Sequence, residues 1–105
     1  DIARCGLTEG RRIAELVASY HLPVAFHVGV CLGVAMAATW QIAAAMPNHF
    51  IQEHEPPMWE LSNTIFHEPL RIEAGQMVVP TGPGLGVDID MRRLAPWIVA
   101  TGESR

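Results

Sequence analysis

The apolar positions of this chain fall into blocks whose period changes part-way along. Residues 1–6 read as the tail of a strand and a turn, and Thr8 stands where a helix N-cap belongs, with Glu9 in the first turn to favour the dipole. Ile13, Leu16, Val17 and Tyr20 then recur at helical spacing and form one apolar face, while Arg11, Arg12, Glu15 and Ser19 fall mostly elsewhere. Beyond Pro23, residues 24–28 (Val-Ala-Phe-His-Val) form a short run unbroken by charge, the pattern of a strand buried on both faces. Residues 30–46 are apolar and Ala-rich, interrupted only by Gly33, Thr39 and Gln41. A bilayer crossing takes about 20 apolar residues, so this run predicts a helix buried in an α/β protein instead. Pro47-Asn48 supplies a stop, residues 50–53 a further strand, and Pro56-Pro57 a break before a short helix over 58–66 with Trp59, Leu61 and Ile65 as its apolar positions. The βαβα order predicts a parallel sheet with right-handed crossovers.

After His67 the pattern changes. Residues 70–73 and 76–79 are two short, partly alternating runs around Ala74-Gly75, which predicts a hairpin with a tight turn. Thr81-Gly-Pro-Gly-Leu-Gly86 follows as a tightly turning loop, and Asp90 caps a last short helix that includes Leu94, Trp97 and Ile98, limited by Pro96. Two and a half βα units neither close a sheet nor cover both its faces, so the piece is expected to be unstable alone.

Composition narrows the partners. The 105 residues are 50% hydrophobic and 17% charged with a net charge of −4, enough for the core of one domain and without the basic patch that nucleic acid or an anionic membrane surface requires. All seven basic residues are arginines, so the chain holds no lysine to act as a base or a phosphate anchor. Two cysteines, Cys5 and Cys31, in a loop-poor sequence read as unpaired thiols of a cytoplasmic protein. The chain opens Asp-Ile-Ala-Arg, without an initiator Met or a signal-peptide pattern, and reads as beginning in the middle of a longer protein.

The candidate chemistry sits at the strand ends. Neighbouring parallel strands lie about 4.8 Å apart, so Asp1 and His27, at the ends of consecutive strands, are expected to meet. A carboxylate on one imidazole nitrogen fixes the tautomer and raises the basicity of the other, which is what a general acid or base needs. A histidine after an apolar strand is also an ordinary core residue, and both readings stand on periodicity alone. Glu53 closes the next strand and is placed to hold a substrate oxygen, or to share a proton if burial raises its pKa. A metal centre on His49, Glu53, His54 and His67 has no ligand-spacing signature behind it. The glycine loop of residues 81–86 lacks the Lys of a phosphate loop and does not lead into a helix, so it reads as a structural turn.

Four ordered stretches carry a resemblance. Asp1-Ile-Ala-Arg-Cys-Gly-Leu-Thr-Glu-Gly-Arg-Arg-Ile-Ala, Pro23-Val-Ala-Phe-His-Val-Gly29, Pro47-Asn-His-Phe-Ile-Gln-Glu53 and Pro80-Thr-Gly-Pro-Gly-Leu-Gly-Val87 together resemble the C-terminal part of the mandelate racemase and muconate lactonising family of the enolase superfamily, on its acid-sugar dehydratase side, with galactonate dehydratase as an example. The resemblance implies an α/β fold: residues 1–66 would be the last strands and helices of a (β/α) TIM-type barrel. Residues 67–105 would be a hairpin, loop and short helix returning to an α+β capping domain that this chain lacks. It implies that Asp1 orients His27, that His27 is the general acid/base, and that Glu53 hydrogen-bonds the substrate carboxylate or its enolate. Sites of this superfamily use a Lys or His base with Mg²⁺.

The same resemblance implies a cytoplasmic homo-oligomer acting on a sugar acid, with the metal ligands and the catalytic lysine on a missing N-terminal part. The 105-residue chain alone would then be inactive. The family usually has two glycines after the first matched strand, whereas Cys5-Gly6-Leu7 has one. A racemase or epimerase of a 2-hydroxy acid fits the same residues, and so does a non-catalytic fragment that acts only by packing on a partner chain.

Overall fold

The computed structural model of the chain describes residues 1–99, so the last six positions of the 67–105 segment read from the sequence lie outside the described residues. Asp1 stands at the N-cap of a helix over the residues expected to form a turn. Its Oδ1 accepts the Ala3 N–H at 2.9 Å, and helix α1 runs Ile2–Ser19 with a kink at Gly6, whose φ of 76° and ψ of 170° leave the helical region. An N-cap carboxylate satisfies a donor that the first turn leaves open, which is why the expected turn is a helical one. Gly6 separates a short helical turn over residues 2–5 from the longer helical stretch, which resumes beside Thr8, where the sequence places a helix start.

The face that α1 buries also differs from the expected one. Its buried positions are Ile2, Gly10 and Ala14, and the small Gly10 and Ala14 let helix α2 (Gly33–Ala45) approach closely enough for Ile42 to reach Gly10. Ile13, Leu16 and Tyr20, expected to form the core face, are 50%, 61% and 70% exposed.

Helix α2 is the buried element, as its composition predicts. Met36, Ala37, Ala38, Trp40, Ile42 and Ala43 are all in the core, on every side of the helix. Its two polar positions are satisfied: Thr39 Oγ1 donates to the Ala35 carbonyl, and Gln41 Nε2 donates to the carbonyls of Pro80 and Leu85 at 2.7 and 3.2 Å. Gln41 thereby fixes the glycine loop, whose left-handed Gly84 and Gly86 confirm it as a turn.

Helix α3 (Pro56–Asn63) starts on the proline pair that the sequence reading treated as a break, because proline at the first helical position gives up only a donor that is unpaired there anyway. Strands β1 (Arg71–Glu73) and β2 (Gln76–Val78) pair antiparallel with Ile72 opposite Met77, around Ala74 and Gly75, both at positive φ as a two-residue hairpin turn requires. Asp90 caps helix α4 (Met91–Leu94) by accepting the N–H groups of Arg92 and Arg93, and Pro96 sits in the 3-10 turn that follows over Ala95–Trp97. One core gathers Val28, Met36, Trp40, Ile65, Phe66 and Leu70, and a second gathers Ile2, Ala14, Phe26, Ala38, Ile42 and Ala43.

The two stretches expected as parallel strands, residues 24–28 and 50–53, are extended but share one parallel bridge, Val24 with His49. The Val24 N–H donates to the Asn48 carbonyl and the Phe50 N–H to the Val24 carbonyl, both at 2.9 Å. Phe26 and Val28 are buried against α2 while Ala25 and His27 are exposed, so the 24–28 stretch is covered on one face, not on both. The other face lies open, and the candidate residues stand on it.

Candidate active site

Side-chain alternation decides what this open face carries. Residues 25, 27 and 29 share it because successive residues of an extended chain point to opposite sides. His27 is thereby directed away from the core, and Glu53, at the end of the neighbouring stretch, reaches it. The His27 Nδ1 and Glu53 Oε2 atoms are 2.6 Å apart, and the same oxygen accepts the Val28 N–H at 2.6 Å. A carboxylate at Nδ1 places the ring proton there and leaves Nε2 as the nitrogen free to exchange a proton.

The Val28 N–H, and after it the His27 ring, hold the Glu53 carboxyl below the usual carboxylate range against the upward pull of desolvation. Glu53 is therefore an ionised anchor, not the proton-sharing acid that burial would have made of it. Both side chains are about half exposed, His27 at 61% and Glu53 at 48%, so water reaches the pair.

The contact expected between Asp1 and His27 is not made. Asp1 spends Oδ1 on capping α1, and among the described residues no hydrogen bond or ion pair joins its carboxylate to the ring. The two do face one another across Gly29: a Cβ built there would stand 3.1 Å from His27 Nε2 and 3.2 Å from Asp1 Oδ2. Asp1, His27 and Glu53 are thus brought to one place, with the ring held by the glutamate and the aspartate on its far side.

Sequence reasoning missed two participants, the Val28 N–H and Gly29. Continuing the period-2 alternation one step past Val28 would have put Gly29 on the face of His27, whereas a backbone donor leaves no trace in residue type. The other histidines are scattered. His49 stacks on Phe26 with centroids 6.2 Å apart and keeps Nε2 buried without a partner, His54 meets Trp59 edge-on, and His67 lies between Asp88 and Asp90. Among the described residues no group of three or more His, Cys, Asp or Glu side chains is placed to hold a metal ion. The described residues therefore offer no cluster to hold Mg²⁺. Cys5 and Cys31 are both free, and burial, followed by the nearby Glu55 charge, pushes the Cys31 thiol up.

Residues 1–93 match the family described as enolase C-terminal domain-like. The chain belongs to that family. Its relatives include the D-galactonate dehydratase family member ManD of Chromohalobacter salexigens, 40% identical over 98 residues, and the D-xylonate dehydratase of Haloferax volcanii, 35% identical over 86 residues. These alignments take in 88% and 82% of this chain but 23% and 21% of the relatives.

A solved enolase of Gibberella zeae, complexed with magnesium, formate and sulfate, superposes with a TM-score of 0.75 at 32% identity, covering 87% of this chain and 22% of that one. The chain spans less than a quarter of the length of these relatives. The kinship read from the four motifs, with acid-sugar dehydratases of the mandelate racemase and muconate lactonising branch of the enolase superfamily, is shown. Among the described residues no helix is long and apolar enough to cross a membrane.

Proposed function

We propose that this chain is the C-terminal portion of a Mg²⁺-dependent acid-sugar dehydratase. In this reading residues 1–66 belong to a (β/α) barrel and residues 67–105 pack on a capping domain, with the remainder of the barrel supplied by a polypeptide outside this chain. The observation that carries it is the His27–Glu53 pair on an open face, with Asp1 across Gly29. The exposure of Ile13, Leu16 and Tyr20, which recur at helical spacing on α1, supports it, since an apolar helix face left uncovered is a place for further packing.

The chemistry follows from what each group can do. A base outside this chain, which has no lysine of its own, removes the proton α to the substrate carboxylate. His27, protonated and anchored through Nδ1 to ionised Glu53, donates from Nε2 to the β-hydroxyl. The C–O bond breaks, water leaves, and the electron pair of the enediolate forms the C=C bond of an enol that rearranges to a 2-keto-3-deoxy acid. His27 ends neutral and is reprotonated from solvent. Asp1, across Gly29, stabilises the imidazolium that this cycle requires. Mg²⁺ in this reading is held by residues outside the chain, as the family resemblance implies.

The test joins residues 1–93 to the N-terminal three-quarters of the 40%-identical relative and offers the product a panel of acid sugars with Mg²⁺. A 2-keto-3-deoxy acid is expected, and His27→Asn is expected to abolish it. The 105-residue chain alone is expected to turn over nothing. A folded chimera that dehydrates none of the panel, or dehydration by the chain alone, would overturn the proposal.

A further inference from the structure

We infer that Gly29 is a positioning residue that sets the gap between His27 and Asp1, and that any side chain there would force the two apart; this rests on the site proposed above. Gly29 follows His27 by two positions and faces the same side of the extended stretch, so its missing Cβ points at the reacting nitrogen. A Cβ would stand 3.1 Å from His27 Nε2, 3.6 Å from His27 Cδ2 and 3.2 Å from Asp1 Oδ2, where ordinary van der Waals contact lies at 3.4–4 Å. The backbone at Gly29 is not in the left-handed region, so alanine is permitted there and its whole cost is this crowding.

Neither neighbour is free to yield, because each is tethered at its far side. The His27 ring is held through Nδ1 by Glu53 at 2.6 Å, and that carboxylate is held in turn by the Val28 N–H. The Asp1 carboxylate is held through Oδ1 by the Ala3 N–H at 2.9 Å. A methyl group at position 29 must therefore lengthen one tether or the other. Glycine leaves both intact and keeps Nε2 and Oδ2 facing the same small space. A reacting group entering that space is met by a proton donor on one side and a negative charge on the other, at a spacing that the backbone of Gly29 fixes.

The experiment uses the chimeric dehydratase described above, labelled with ¹⁵N. In the wild type, the α-protons of Gly29 are expected to show a nuclear Overhauser contact with the His27 ring. In Gly29→Ala, either the His27 Nδ1–H signal is expected to broaden or shift as the Glu53 bond loosens, or the Ala3 amide is expected to lose hydrogen-exchange protection as the cap loosens. The same substitution at Gly82, where a Cβ meets nothing closer than 3.4 Å, is expected to leave both signals unchanged. In the chimeric dehydratase, Gly29→Ala is expected to lower kcat several-fold with KM little changed, because the crowding displaces the reacting nitrogen by a few tenths of an ångström and misplacement on that scale already costs rate.

Wild-type Nδ1 and Ala3 signals in a folded Gly29→Ala protein would overturn the inference, and so would the absence of the Gly29–His27 contact, which decides the case if the variant does not fold. A chimera that dehydrates nothing would overturn the proposed function and leave the two NMR measurements on Gly29 standing.

Discussion

His27 Nδ1 and the Val28 N–H converge on one atom, Glu53 Oε2, each at 2.6 Å. Two adjacent residues thus bind one carboxylate oxygen, so the orientation of the ring and the direction of the backbone are set together. Removing the carboxylate should release the ring. In Glu53→Ala, the tautomer with the proton on Nδ1 loses its acceptor, and both neutral tautomers are expected to be populated. Ring ¹⁵N shifts measured above the titration range report this directly. The wild type is expected to show one protonated-type and one pyridine-type nitrogen, and the variant two averaged values.

The same hydrogen bonds make stability depend on pH in a defined direction. Glu53 is held below its ordinary value of 4.5, first by the Val28 N–H and then by His27. Asp90 is held below 3.8 although desolvation pulls it upward, because the N–H groups of Arg92 and Arg93 and the charges of His67 and Arg93 outweigh that pull. A carboxyl with a depressed folded-state value binds a proton more readily when unfolded. Its stabilisation is therefore complete above the unfolded value and is lost as pH falls through the folded one. Melting temperature is expected to hold steady above about pH 5 and to fall below pH 4.5, and Glu53→Gln with Asp90→Asn should flatten that decline.

Much of this arrangement was legible in the sequence, and what was not has physical causes. The buried helix over Gly33–Ala45 and the hairpin at Ala74-Gly75 announced themselves, one by apolar residues on every side and the other by a turn dipeptide between short runs. Asp1, His27 and Glu53 were each singled out, and the structure gathers them. The partner of His27 was not legible, because residue types say that a carboxylate is near and not which one. Asp1 was drawn into capping α1 by Ala3, a local bond that won over a longer reach. The buried face of α1 misled for a related reason: a side chain at Leu16 counts as hydrophobic, whereas Gly10 and Ala14 count for little, yet close approach favours the small residues.

Close approach also governs the contact between α2 and the chain after α3. A Cβ at Gly33 would stand 2.3 Å from two ring atoms of Phe66, which is fully buried, and 3.0 Å from the Ser62 Cβ. Gly33→Ala would ordinarily favour a helix, so propensity and packing oppose one another here. Packing is expected to win, because Phe66 has no space to retreat into. The substitution should destabilise by about 1–3 kcal/mol, seen as a lower melting temperature at roughly 4–8 °C per kcal/mol for a domain of this size.

Asp1 carries two functions that a pair of substitutions separates. Its Oδ1 caps α1 through the Ala3 N–H, and its Oδ2 faces His27 across Gly29. Asparagine caps a helix about as well as aspartate, so Asp1→Asn keeps the cap and removes only the charge. Alanine removes both, and Asp1→Ala is expected to cost about 1 kcal/mol of stability, measured by urea denaturation. In the chimeric dehydratase both variants should lose turnover alike, because the charge opposite the His27 imidazolium is gone in each. If Asp1→Asn retained turnover while Asp1→Ala lost it, Asp1 would matter only as the cap that holds α1.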